Sequence, residues 1–152
     1  MLLALANGTP VIAKKLLGAR GAWPVDGGLT VWDGRPLFGA SKTWRGVALA
    51  IVVTTGASPL VGLDVTIGAV AGATAMAGDL CSSFLKRRLG FVSSSRAVGI
   101  DQVPESLLPF IACRAALPLS IADIVAGVAV FTVGEMLASR LLYRWHIRDR
   151  PY

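Results

Sequence analysis

Residues 78–90, GDLCSSFLKRRLG, join an acid, two hydroxyls and three bases to the end of a run of small apolar residues. The stretch reads as a helix continuing to about Leu89. At about 100° per residue, Asp79, Ser82, Ser83, Lys86 and Gly90 share one stripe with Arg87 beside it, while Cys81, Phe84, Leu85 and Leu89 take the rest of the surface. Asp79 and Lys86 are then about 10 Å apart along the axis, comparable to a chain of two or three phosphates. An acid at one end can hold a divalent cation while bases at the other neutralise phosphate oxygens, with Ser82 and Ser83 as hydrogen-bonding groups. The triplet Lys86, Arg87 and Arg88 taken alone reads first as anchors snorkelling to headgroups. Asp79 is harder to dismiss, because a carboxylate near a bilayer boundary is costly unless it faces water, a cation or a partner; a plain ion pair with an Arg is the competing reading. Downstream, SSSRAVGIDQVPE supplies Asp101 and Glu105. Mg²⁺ in phosphoryl-transfer sites is usually held by one or two carboxylates plus substrate phosphates, and Asp79 with Asp101 makes the minimal pair.

A second polar segment ends DGRPLFGASKTWRG. Its FGASKT resembles the end of a phosphate-binding P-loop but has Ser41 where that motif requires Gly, which argues against ATP hydrolysis of that kind. Lys42, Thr43 and Arg45 still offer an ammonium, a hydroxyl and a guanidinium for phosphate, with Gly39 permitting close backbone approach. Other polar positions read as structural. Ser120 and Asp123 fit a helix-start pattern, Asp64 fits a tight turn, and Glu135 can pair with Arg140 or Arg45. Cys81 and Cys113 read as small buried hydrophobes, and His146 as a surface residue.

The elements that must position these groups are apolar. Of 152 residues, 54% are hydrophobic and only 16% charged, which points to one membrane-embedded unit, 1–152, rather than a soluble domain. Apolar stretches at roughly 2–13, 46–63, 65–83, 103–119 and 121–142 predict an all-α bundle of about five transmembrane helices with long loops on one side. The first is short for a span, and the fourth carries Pro104, Glu105, Pro109 and Arg114. Threading five passes puts Lys14, Lys15, Arg20, Arg35, Lys42, Arg45, Lys86, Arg87, Arg88, Arg96, Arg140, Arg144, Arg148 and Arg150 on one face, and only Arg114 towards the other. That asymmetry makes the loop face cytoplasmic, in a multi-pass protein of the cell membrane. Trp23, Trp32, Trp44 and Trp145 lie near boundaries or in these loops, and Gly68 and Gly72 have the spacing of close helix packing in lipid. No cleavable secretory signal is evident.

In order along the chain, ANGTPV, PLFGASKTWRG, GDLCSSFLKRRLG and GIDQ resemble the CDP-archaeol synthases, CTP-dependent cytidylyltransferases distantly similar to phosphatidate cytidylyltransferases. The resemblance spans nearly the whole chain and implies a five-helix membrane enzyme with a cytoplasmic polar cavity. It implies Mg²⁺ dependence and transfer of a cytidylyl group from CTP to a lipid phosphate such as 2,3-di-O-geranylgeranylglyceryl phosphate, with release of pyrophosphate. On this footing Asp79, Lys86 and Asp101 are the catalytic residues, with Asp79 and Asp101 holding metal. Asn7, Lys42, Thr43, Arg45, Ser83, Arg87 and Gln102 would face substrate. The chain departs from the family pattern after DQ, where another Asp is usual two residues on and Pro104 then Glu105 stand here; Glu135 and Ser139 stand where His and Asn are common. Because DGRPLFG does not continue as D-G-x-x-A-R, the CDP-alcohol phosphotransferases are set aside. The expected partners are CTP, the lipid phosphate and the bilayer, with no nucleic acid. The competing class is a non-catalytic transporter or assembly subunit whose basic loops bind anionic lipid.

Overall fold

Small residues set how closely the helices of this chain approach one another. The computed structural model describes residues 1–93, 95 and 97–144; Arg96, Trp145, His146, Arg148 and Arg150 lie outside the described residues. Within them run α1 (Leu2–Leu17), α2 (Trp44–Ala57) continued by a 3₁₀ turn (Ser58–Val61), α3 (Val65–Arg88), α4 (Gln102–Cys113) and α5 (Ile121–Arg144). No strand forms among the described residues; two isolated bridges, Pro24 to Thr43 and Thr30 to Pro36, shape the loop between α1 and α2.

Among the described residues, three stretches are long and apolar enough to cross a membrane: Trp44–Val61, Val65–Arg88 and Ile121–Leu141. The other two helices are shorter. At 1.5 Å per residue, the 16 residues of α1 reach about 24 Å and the 12 of α4 about 18 Å, against about 30 Å of hydrocarbon. The fourth apolar segment therefore does not run helical to 119 as its composition predicts. It stops at Cys113, four residues beyond Pro109, and Arg114 is exposed at its end.

α3 is the central element, packing on α1, α2 and α4, whereas α5 leans on α4 and touches α1 lightly. Ala6, Ala50, Ala75 and Met76 form the core between α1, α2 and α3, with Leu3 and Val47 against it. The Gly68 and Gly72 pair performs the predicted close approach: a Cβ at Gly68 would lie 2.6 Å from the Thr54 carbonyl oxygen, and one at Gly72 would lie 3.0 Å from the Ile51 Cα. Val125, Val133 and Leu137 of α5 are exposed, an arrangement that suits lipid rather than water. Local caps hold the ends. Asp64 accepts from Thr66 N at 2.7 Å, and Ser120 and Asp123 bond reciprocally at 2.9 and 3.1 Å. Cys113 is buried as its neighbours predict, but Cys81 is exposed, because it lies on the outer side of α3 away from the stripe of Asp79.

Candidate active site

The stripe read from the sequence is the inward face of α3. Ser82, Ser83, Lys86 and Arg87 are buried, Asp79 is half-buried, and Leu85 and Leu89 are exposed. The three consecutive bases divide their work. Lys86 and Arg87 turn inward, while Arg88 turns to the α1–α2 loop and donates to Asp33 Oδ1 at 2.7 Å and the Pro36 carbonyl at 2.6 Å. Arg35 answers from the loop, donating to the Arg88 carbonyl at 2.8 Å at the C-terminal end of α3, where cations and free carbonyls suit each other.

That loop is built around Asp26. Its carboxylate accepts from the backbone N–H groups of Gly28 at 3.0 Å, Phe38 at 2.9 Å and Gly39 at 2.8 Å. Burial pushes this carboxyl up, but the three N–H bonds outweigh it and hold it below the usual carboxylate value. Gly39 adopts φ +96°, which only Gly takes without strain, and an added Cβ would come within 3.0 Å of Ser93 Oγ. The loop returns to α2 through the Pro24–Thr43 bridge, with Val25 N donating to the Lys42 carbonyl at 2.8 Å and Trp44 N to the Trp23 carbonyl at 3.0 Å. Lys42 is thereby aimed at α3.

Two ion pairs result. Lys42 Nζ donates to both carboxylate oxygens of Asp79, at 2.5 and 2.6 Å. Lys86 Nζ lies 2.5 Å from Asp101 Oδ1 and donates to the Ser95 carbonyl at 2.9 Å, while Ala97 N donates to Asp101 Oδ2 at 2.9 Å. Burial would depress the Lys42 ammonium, but the Asp79 charge, helped by Glu105 and Asp101, outweighs it and raises the group above its usual 10.5. The ammonium is a fixed positive charge throughout the physiological range.

The carboxyl that faces Asp79 is that of Glu105, and Asn7 Nδ2 of α1 donates to Glu105 Oε2 at 2.9 Å. Gly78 makes this contact possible: a Cβ there would lie 2.5 Å from the Pro104 carbonyl carbon and 2.8 Å from Glu105 Cα, so α4 meets α3 backbone to backbone. Asp101 and Glu105 are four residues apart at the start of α4 and so share a face, a spacing that marks Glu105 in the sequence. The link from Asn7 to Glu105, 98 residues apart, has no such mark.

The structure brings Asn7, Lys42, Asp79 and Glu105 into one connected cluster, with Lys86, Asp101 and Arg87 alongside on α3 and the start of α4. Arg87 is buried and donates from Nη2 to the Val92 carbonyl at 2.9 Å; its Nε has no hydrogen-bond partner among the described residues. Thr43, Gln102 and Arg45 have structural bonds, while Ser83 is buried on the inward face of α3. Thr43 Oγ1 caps α2 by accepting from Gly46 N at 3.2 Å, and Gln102 Oε1 accepts from Gly99 N at 2.8 Å. The Arg45 guanidinium turns to the carbonyls of Arg20 and Gly18 at the end of α1. Among the described residues no group of three or more His, Cys, Asp or Glu converges. The Asp79–Glu105 pair is a two-carboxylate oxygen donor set, which fits Mg²⁺ completed by substrate phosphates rather than a closed protein cage.

A CDP-archaeol synthase from Pyrobaculum aerophilum is 31% identical over 97% of this chain and 92% of its own length, and one from Pyrococcus furiosus is 39% identical over 64% of this chain and 60% of its own. A solved intramembrane enzyme for archaeal membrane lipids biosynthesis, 27% identical, matches with a TM-score of 0.72 over 90% of each chain. Residues 57–152, which include α3, α4 and the acid pair, match the CarS-like family, CDP-archaeol synthase, and the chain belongs to that family.

Proposed function

We propose that this protein transfers the cytidylyl group of CTP to a membrane lipid phosphate, with 2,3-di-O-geranylgeranylglyceryl phosphate as the acceptor, giving a CDP-lipid and pyrophosphate. The observation that carries the reading is the convergence, at the α3–α4 contact, of a carboxylate pair with inward-facing cations supplied by α3 and by the loop. A lipid phosphate oxygen attacking the α-phosphorus of CTP brings two anions together, so the site must offset repulsion and align the reactants. No side-chain nucleophile is needed.

Lys42, Lys86 and Arg87 are the groups that bind and orient phosphate oxygens, and the buried, unpartnered Nε of Arg87 supports this role. Asp79 and Glu105 would hold Mg²⁺, with Asn7 fixing the Glu105 carboxyl. The metal, when bound, neutralises charge developing on the phosphates. Asp101 keeps Lys86 in place through its ion pair. The excess of Lys and Arg in the loops supports a cytoplasmic site, where CTP arrives from water and the lipid from the inner leaflet.

The test is turnover of labelled CTP and lipid phosphate by the purified protein. CDP-lipid should form only with Mg²⁺ present, and Asp79→Asn should abolish it while leaving the melting transition in place. Undiminished turnover in chelator, or in Asp79→Asn, refutes the proposal.

A further inference from the structure

Two acids of the site, Asp79 and Asp101, are each held by a lysine, and the two pairs are built differently. Lys86 is fixed from two sides: its Nζ lies 2.5 Å from Asp101 Oδ1 and donates to the Ser95 carbonyl at 2.9 Å, and only 9% of its side chain is exposed. Lys42 is held by its carboxylate alone. Its Nζ donates to both oxygens of Asp79, at 2.5 and 2.6 Å, and bonds nothing else among the described residues, while the two side chains are 22% and 21% exposed and so open to a solute. The backbone beneath it is fixed, with Lys42 N donating to the Gly39 carbonyl at 3.1 Å and Val25 N to the Lys42 carbonyl at 2.8 Å. The four-carbon stem is therefore the movable part of this pair. Glu105, which faces Asp79, takes its hydrogen bond from Asn7, a neutral donor, so the charge that balances the facing carboxylates is that of Lys42.

We propose that Lys42 bars a bare divalent cation from Asp79 and yields the carboxylate only to a cation carried on a nucleoside triphosphate; the inference rests on the cytidylyl-transfer reading above. A carboxylate with both oxygens on one compact ammonium offers a cation no open oxygen until the ammonium leaves. With no anion to receive it, the displaced ammonium would stand beside an incoming double charge, and like charges that close repel strongly in a partly desolvated site. A triphosphate reverses the sign. It brings more negative charge than its cation carries, and its oxygens receive the ammonium as the carboxylate is released. Lys42 thus exchanges one anion for another without being left unpaired, and Lys86, held by Asp101 and Ser95, stays in place while it does so. The site then selects the cation–nucleotide complex over its separate parts.

Two binding experiments on the whole chain test this, with Mn²⁺ as the probe, read by electron paramagnetic resonance, and no lipid phosphate present, so that nothing turns over. In the first, Lys42→Met should bind Mn²⁺ about tenfold tighter than wild type when no nucleotide is added, because the facing carboxylates have lost their balancing charge, and should bind Mn²⁺ with CTP more weakly than wild type. Lys42→Arg, which keeps the charge, should exclude bare Mn²⁺ as wild type does. A Lys42→Met protein with an intact melting transition that binds bare Mn²⁺ no tighter than wild type overturns the proposal. The second compares wild type with and without CTP and so does not depend on the Lys42 variants folding. One Mn²⁺ per chain, absent from Asp79→Asn, should appear with CTP and not without it. The same Mn²⁺ bound as tightly without CTP overturns the guarding role, and CDP-lipid formation by that protein leaves the reaction standing. Absence of any Asp79-dependent Mn²⁺ under both conditions removes the acid pair as a metal site, and the guarding role with it.

Discussion

Gly78 is the position where a single methyl group should separate packing from chemistry. Gly78→Ala would place its Cβ 2.5 Å from the Pro104 carbonyl carbon and 2.8 Å from Glu105 Cα, and both obstacles are backbone. Ordinary carbon contacts lie at about 3.5 Å, so α4 must retreat by about 1 Å. Overpacking of this kind costs about 1–3 kcal/mol, which a five-helix bundle can survive. The Asp79–Glu105 contact cannot follow the retreat, because Asp79 stays on α3 under the hold of Lys42. Misplacement of about 1 Å in a reacting group is enough to cost about 100-fold in turnover. The assay pairs thermal melting in detergent with initial rates of CDP-lipid formation. Gly56→Ala, where nothing lies within 4 Å, serves as the neutral control on a neighbouring helix. The expected result is a modestly lowered melting transition in Gly78→Ala together with a rate loss of about two orders of magnitude, and neither change in the control. A Gly78→Ala protein that melts and turns over like wild type would refute the reasoning, since it would mean that the α3–α4 approach does not position Glu105.

Two further outcomes follow from the ion pair and the loop. A double-mutant cycle of Lys86→Met and Asp101→Asn should give a coupling energy of about 1–3 kcal/mol, because the side chains are only 9% and 14% exposed; a value below about 0.5 kcal/mol would place the pair with ordinary surface pairs. For Asp26, removing the carboxylate in Asp26→Ala strands three backbone N–H groups at about 1 kcal/mol each, so the loop should become about 3 kcal/mol easier to open and chymotryptic cleavage after Phe38 correspondingly faster. The sign with pH is determined by its lowered pKa: the stabilisation is fully present above the unfolded value of 3.8 and is lost as pH falls through the lower folded value. An acid-resistant protease with equal cleavage rates at pH 5 and pH 2 would show that Asp26 does not organise the loop.

Much of this protein was legible in one dimension because its solvent is lipid. Apolar length, the Lys and Arg bias and the 3.6-residue period of Asp79, Ser82, Ser83 and Lys86 are local signals, and α3 ends at Arg88, one residue from the expected boundary. Caps at Asp64 and Ser120 were likewise written in neighbouring residues. What local signals could not decide is which charge meets which. Composition extends the fourth segment to 119, whereas its helix ends at Cys113, and the recognisable strings bring Asp79 and Asp101 into view without saying which charge each meets. Only the packing of α4 on Gly78 brings Glu105 to Asp79, leaves Asp101 to Lys86, and sends Arg45 to the end of α1. Helix contacts are made by surfaces far apart in the chain, as Asn7 and Glu105 are, so a linear pattern determines the elements and their faces while tertiary packing decides the partners.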